Sequence, residues 1–268
     1  MAPMLEQLAT DADDGRDVVI PTGFKVLDET LGGGLRTSQV ALLAGVAGVG
    51  TSIFALHIAR NAALRHGQRT LFVAPDSAER EILTRIIAAE TRTVVGHIRS
   101  GHLSERDRQQ LAEHRERLST APILVNCGWS VAGATDTIVD TVRVWIPHGV
   151  KFVVVDNTSD AEPRTRELVK ALKLVAQTHQ VAVVVVSKVV VPKHRRCDPP
   201  VLEDLREYAE FADLVDVALL LHRDDMHDWN STRPGEADLD IIKHRYGPTA
   251  KIRLAFQGFY ARFLDMPS

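Results

Sequence analysis

The 268 residues, 45% hydrophobic and 25% charged, suit one α/β domain with a full core. A net charge of −3 excludes a protein that coats nucleic acid by bulk charge and leaves only local basic patches for such contacts. Cys127 and Cys197 have no metal-ligand spacing and read as free thiols, residues 1–10 lack the regions of a signal peptide, and no apolar run reaches membrane length, so the cytoplasm is the expected location and no membrane partner is expected.

In chain order, Met4, Leu5 and Leu8 have the spacing of two turns of amphipathic helix, followed by the acidic stretch Asp11 to Asp17. Residues 1–19 therefore read as a tail, either helical or frayed, ahead of one domain over residues 20–268. Ile20 to Asp28 lead into the glycine turn Gly32-Gly33-Gly34. Gln39 to Ala44 is a short apolar strand, and Ile53 to His66 has helical spacing, with apolar residues at Ile53, Leu56, Ala59, Ala63 and Leu64.

Between that strand and helix lies Gly45-Val46-Ala47-Gly48-Val49-Gly50-Thr51-Ser52. Strand, glycine-rich turn and helix is the context of a phosphate-binding P-loop, whose backbone N–H groups and helix N-terminus hold a polyphosphate. Gly45, Gly50 and Ser52 fit the Gly-x-x-x-x-Gly-Lys-Ser/Thr pattern, but Thr51 stands where the lysine belongs. That lysine normally neutralises the β- and γ-phosphates. The cradle is kept and its main charge is not.

Strands are expected at Thr70–Ala74, Ile123–Asn126, Phe152–Val155 and Val181–Val186, and helices at Glu79–Glu90, Ser104–Leu118, Ala134–Ile146 and Arg164–His179. Ser104 is the expected N-cap of its helix, with Asp107 at N3. Continuous Val/Ile runs predict strands covered on both faces, hence a parallel sheet between helix layers. Val215–Leu221, Leu239–Lys243 and Ala250–Phe256, joined in part by Tyr246-Gly247-Pro248, predict an antiparallel extension.

Asp156 ends an apolar strand, where a nucleoside triphosphatase holds Mg²⁺; the alternative is an aspartate capping the next loop. Asp76, ending the strand expected beside it, orients an attacking water or caps the helix near Glu79. Lys188 either points a charge at the phosphate site or is a solvated loop lysine. In the same loop, Lys193, Arg195 and Arg196 make a basic run that is solvated surface or a phosphate-backbone contact, with no aromatic interleaved. His222, His227 and Asp228 match no metal-ligand pattern.

Together these pieces resemble the RecA-type ATPase domain of DnaB-type replicative hexameric DNA helicases, from about Ile20 to Phe263. The opening Ile20-Pro21-Thr22-Gly23-Phe24 through Gly33-Gly34-Leu35 is similar to the family's entry signature. Pro200 to Glu207 resembles its loop and helix after the sensor strand, and Lys243-His244-Arg245-Tyr246-Gly247-Pro248-Thr249 its most specific motif. The resemblance implies that Lys243 and Arg245 reach across a subunit interface to a neighbour's γ-phosphate. It also implies ATP and Mg²⁺ as cofactors, a homo-oligomer, as a hexameric ring in the family, and single-stranded DNA as partner. Gly45, Gly48, Val49, Gly50, Thr51 and Ser52 take the nucleotide-binding positions, and Ser52 and Asp156 the metal positions.

Departures from the family accompany the match. The P-loop lysine is Thr51, the catalytic glutamate falls on Asp76, and the γ-phosphate-sensing glutamine falls on Lys188. Asn157-Thr158-Ser159 replaces an apolar, glutamine-bearing segment. The family's N-terminal helical domain has no counterpart, with Met4 to Thr10 as a remnant of the linker helix. Three functions are compatible with this pattern. One is an ATP-binding, oligomeric relative with weak or no hydrolysis. The second is a DNA-translocating ATPase in which Lys188 compensates for Thr51. The third is a scaffold that has abandoned nucleotide.

Overall fold

The apolar runs of the sequence become strands buried on both faces, and these set the position of everything else. The structure is a computed structural model and describes residues 18–128, 134–156, 162–189, 191, 198–201, 204, 212–226 and 230–266. The expected tail helix at Met4 to Thr10, the basic run with Lys193, Arg195 and Arg196, residues 157–159, His227 and Asp228 lie outside the described residues, as does most of the segment Pro200 to Glu207.

The elements are β1 (Val19–Ile20), α1 (Lys25–Thr30), β2 (Leu35–Arg36), β3 (Val40–Val46), α2 (Thr51–His66), β4 (Thr70–Ala74), α3 (Glu79–Thr91), α4 (Val95–Ser100) and α5 (Glu105–Ser119). They continue with β5 (Ile123–Cys127), α6 (Ala134–Trp145), β6 (Phe152–Asp156), α7 (Glu162–His179), β7 (Ala182–Val189), β8 (Val217–His222), β9 (Glu236–His244), β10 (Ala250–Gln257) and β11 (Arg262–Asp265). Among the described residues, β3 to β11 form one sheet in the order β11-β10-β9-β8-β3-β7-β6-β4-β5. β8, β3, β7, β6, β4 and β5 run parallel, and β9, β10 and β11 extend the sheet antiparallel. This is the RecA-like core with an antiparallel C-terminal extension that the sequence predicts.

Two apolar layers sandwich the sheet. Ala41 and Leu43 of β3 face Phe54 and Ile58 of α2, while Val40 and Leu42 face Leu168 and Leu172 of α7. Each such large side chain contributes roughly 1.5–3 kcal/mol on burial. Ser104 caps α5 as predicted, in a capping box with Asp107.

Five short elements, β1, α1, β2, α4 and β11, have no counterpart among the sequence-based expectations, and β9 begins at Glu236 instead of Leu239. The pattern Glu236, Asp238, Asp240 against buried Ala237, Leu239 and Ile241 is a half-covered strand, and the solvent-side acids disguised its start. A bulge lies between Ala218 and Leu219 of β8, where Ala218 pairs with Lys243 and Leu219 with Ile241. It interrupts the alternation one step before the Lys243-His244-Arg245 motif and re-aims the residues beyond it.

Candidate functional site

The glycine loop lies at the carboxyl end of β3, the central strand. The Val49 N–H donates to the Val46 carbonyl at 3.1 Å, closing a tight turn with Gly48 at φ 87°. Gly50, at φ 110°, is the N-cap of α2. A Cβ on Gly45 would stand 2.8 Å from the Leu221 carbonyl oxygen and 2.7 Å from Val49 Cγ1, so only glycine fits there. Helix geometry leaves the N–H groups of Thr51, Ser52 and Ile53 without intrahelical acceptors, pointing out of the first turn.

Thr51 turns inward. It is only 8% exposed, and its Cγ2 lies 3.0 Å from where a Gly45 Cβ would be. The position that would carry a long cation in the family therefore holds a short side chain packed under the loop. Ser52, next in line, donates its hydroxyl to Asp156 Oδ1 at 3.1 Å. Strands β3 and β6 are not adjacent, since β7 separates them, yet their carboxyl ends open on one spot.

Asp156 is 3% exposed. Burial pushes its carboxyl up to about 6, with Asp76 adding to the rise; the Ser52 hydroxyl, Arg85 and Lys188 act in the opposite sense. Those interactions gather Ser52, Asp76, Arg85, Asp156 and Lys188 around one point. Lys188 pairs in register with Gly45 on β7 and is exposed, beside the loop as the sequence placed it. Asp76 is exposed in the turn after β4; the N-cap of α3 is Ala78, so the capping alternative for Asp76 is not what the structure has. Arg85 has no signal in the sequence. Its bond to Glu81 at 2.5 Å is an i,i+4 pair visible in sequence, but its direction toward Asp156 is a product of packing.

A hydroxyl and a carboxylate 3.1 Å apart, beside a glycine cradle that a Cβ would fill, suit a hard cation with a bound polyphosphate. Among the described residues no cluster of three or more His, Cys, Asp or Glu makes a self-sufficient metal cage. Mg²⁺ takes one or two carboxylates and completes its shell from phosphates and water.

Lys243 and Arg245 lie at the other end of the sheet, where β9 ends opposite the start of β8. Buried Asp216 is the anchor there: Val40 N–H donates to its Oδ2 at 2.9 Å, and Lys173 makes a tight ion pair with the same oxygen. Arg245 reaches Asp216 Oδ1 at 3.5 Å while remaining 52% exposed. Burial lowers the Lys243 ammonium, with Arg245 and Lys173 adding to the shift and Asp213 and Asp216 opposing it. The structure thus separates Lys243 and Arg245 from the glycine loop of their own chain.

A family model for the DnaB-like helicase C terminal domain matches residues 19–265. The chain belongs to that family. It is 34% identical over 268 residues to the replicative DNA helicase DnaB of Leifsonia xyli subsp. xyli (strain CTCB07), covering 96% of this chain and 58% of the relative. To the replicative DNA helicase DnaB of Mycobacterium leprae (strain TN) it is 30% identical over 225 residues, covering 80% and 37%. The chain thus spans 58% or less of these two DnaB relatives. Among solved structures it resembles an ATPase domain, with TM-score 0.85, 23% identity and 99% and 98% of the two chains covered. A DnaB-like replicative helicase, described with its interactions with primase, matches with TM-score 0.85 and 22% identity over 100% and 67% of the two chains. At those identities the likeness is one of fold. No helix among the described residues is long and apolar enough to cross a membrane.

Proposed function

We propose that this DnaB-family chain binds ATP with Mg²⁺, assembles with copies of itself, and hydrolyses the nucleotide slowly or not at all. The observation that carries the reading is the Ser52–Asp156 contact at 3.1 Å beside a buried Thr51. The parts that hold a metal–phosphate group are together, and the part that neutralises phosphate charge during transfer is replaced. Ser52 and Asp156 would hold Mg²⁺, which when bound neutralises phosphate oxygens. Gly48 to Ser52 offer backbone donors to the phosphates, and Asp76 is the residue at the position for orienting water. A cavity of about 500 Å³ beside Ile53, lined in part by Ala78, Arg85 and Gly258, gives the rest of a nucleotide room.

The placement of Lys243 and Arg245 at the opposite end of the sheet from their own cradle supports assembly, in which they would serve a neighbour's phosphates. A ring and a single-stranded DNA partner follow from the family reading. A second reading has one observation in its favour: Lys188 pairs with Gly45 and its charge is felt by Asp156. A relocated cation of that kind would restore turnover. Nucleotide affinity and phosphate release, measured with and without single-stranded DNA, separate the two. Binding with negligible release supports the first reading, DNA-stimulated release supports the second, and no binding overturns both.

A further inference from the structure

The cavity beside the cradle carries more positive charge than the base and sugar of a nucleotide require. Its walls are the start of α3, the helix α4 and the turn Gly258–Tyr260, which packs against both helices. Ile53, the residue after Ser52, also lines it, so the space of about 500 Å³ opens one residue from the proposed metal position.

Three guanidiniums line this space, from Arg80, Arg85 and Arg99, against one carboxylate, that of Glu81. Arg85 is engaged: it bonds to Glu81 at 2.5 Å, and its charge acts on Asp156. Arg80 and Arg99 are exposed, and their guanidiniums have no hydrogen bond or ion pair among the described residues. With Arg85 and Glu81 cancelling, the charges of Arg80 and Arg99 are left over.

The neutral groups point the same way. Ala78, the N-cap of α3, has no side chain to accept from the N–H groups of the first turn. Thr84 is buried, and its hydroxyl donates to the Arg80 carbonyl at 2.6 Å. Among the described residues the lining has no aromatic side chain on which a base would stack. An adenine amino group or a ribose hydroxyl donates, and the carboxylate on this wall is already shared with Arg85. Unspent guanidinium forks match a group that only accepts, at several oxygens, which is a phosphate.

With the 5′ polyphosphate on Gly48 to Ser52, the sugar is the next part of the ligand to enter the cavity. The added phosphate therefore belongs on a ribose hydroxyl. A longer 5′ chain would grow instead at the γ-phosphate, where Asp76 and Lys188 stand.

We infer that the cavity takes a nucleoside triphosphate that is also phosphorylated on its ribose, with the second phosphate seated on Arg80 and Arg99. This rests on the reading of Gly48 to Ser52 as the holder of a 5′ polyphosphate, and names the ligand class of that same site.

The test is calorimetric titration of the full chain at saturating Mg²⁺. The ligands are ATP, ATP carrying a further phosphate at the 2′ or the 3′ hydroxyl, and adenosine 5′-tetraphosphate, which has the added phosphate at its other end. The better of the two ribose-phosphorylated forms should bind at least about tenfold more tightly than ATP, the weight of one partly solvated charge-assisted contact. Arg80→Ala with Arg99→Ala should remove that preference, so that the variant binds ATP and the ribose-phosphorylated form alike. Arg80→Lys with Arg99→Lys should keep part of it, and guards against the alanine pair failing to fold. Equal affinity of the parent for ATP and both ribose-phosphorylated forms overturns the inference, as does a preference that survives in the alanine pair. It also falls if adenosine 5′-tetraphosphate gains as much and loses the gain in the alanine pair, since the arginines would then take the end of a longer 5′ chain. If no ligand binds, the polyphosphate reading of the glycine loop fails and the inference with it. ATP binding without a ribose-phosphate preference leaves that reading standing and removes the inference alone.

Discussion

The Ser52 hydroxyl donates to Asp156 Oδ1 at 3.1 Å, joining the first turn of α2 to the end of β6 across the intervening strand β7. That contact holds a buried carboxylate in a place where its charge is costly. Unfolded, an aspartate titrates near 3.8; here burial and Asp76 raise it to about 6. Below about pH 4 Asp156 is protonated in both states and the difference vanishes. As pH rises through about 6, the folded chain must carry the charge and loses stability. Asp156→Asn should therefore stabilise the metal-free protein at pH 7 by up to about 3 kcal/mol, with the gain gone near pH 4. Thermal melts of the two proteins across pH check this. The variant should also lose Mg²⁺-dependent nucleotide affinity, and in the parent that affinity should rise with pH through about 6 as the proton stops competing.

Thr51→Lys asks whether the remaining parts make a working site. A single positioned cation or donor at a developing charge is worth about 100- to 1000-fold in rate, so turnover should rise by that order if Asp76 and Asp156 are competent. Lys188→Ala should weaken ATP binding if Lys188 supplies the relocated charge. Unchanged affinity in Lys188→Ala, with binding measurable in the parent, would remove compensation and leave a passive nucleotide binder. Phosphate release and calorimetry on the two single variants and their combination provide the comparison.

The sheet was legible because its strands are Val-rich runs too continuous for a one-sided strand, and Gly45 to Ser52 marked the turn that leads to the site. Lys188 beside the loop followed from its place at the end of a neighbouring strand. Arg85 did not, because only the tertiary packing of α3 brings its side chain near Asp156. Asp216 was hidden for a similar reason: its partners Val40, Lys173 and Arg245 come from three distant segments. Glu90 of α3 and the arginines that meet it, from α2 and α5, are likewise scattered and have no signature in any one stretch.

Ser104→Ala tests local stability far from the site. The Ser104 hydroxyl accepts from the Asp107 N–H at 3.1 Å, and Asp107 in turn accepts from the Ser104 N–H at 3.0 Å. Removing the cap should cost about 1 kcal/mol, read as a lower denaturant midpoint at unchanged slope. Nucleotide affinity should stay at the parent value, because the capping contacts are local to the start of α5.

Arg245 and Asp216 should behave oppositely although they touch. Arg245 is half exposed and meets Asp216 at 3.5 Å, so Arg245→Ala should change stability by less than about 1 kcal/mol. Asp216 is buried and holds Lys173 and the Val40 N–H; Asp216→Ala strands a buried ammonium and should cost about 3–5 kcal/mol. Asp216→Asn keeps an acceptor for Val40 and should cost less. Function should divide the other way. In dilute protein Arg245→Ala should bind nucleotide like the parent, since the guanidinium lies at the opposite end of the sheet from its own cradle. In the Thr51→Lys background it should abolish the part of turnover that rises with protein concentration. Concentration-dependent turnover that survives in Arg245→Ala would mean that this arginine serves its own chain through Asp216 and no neighbour.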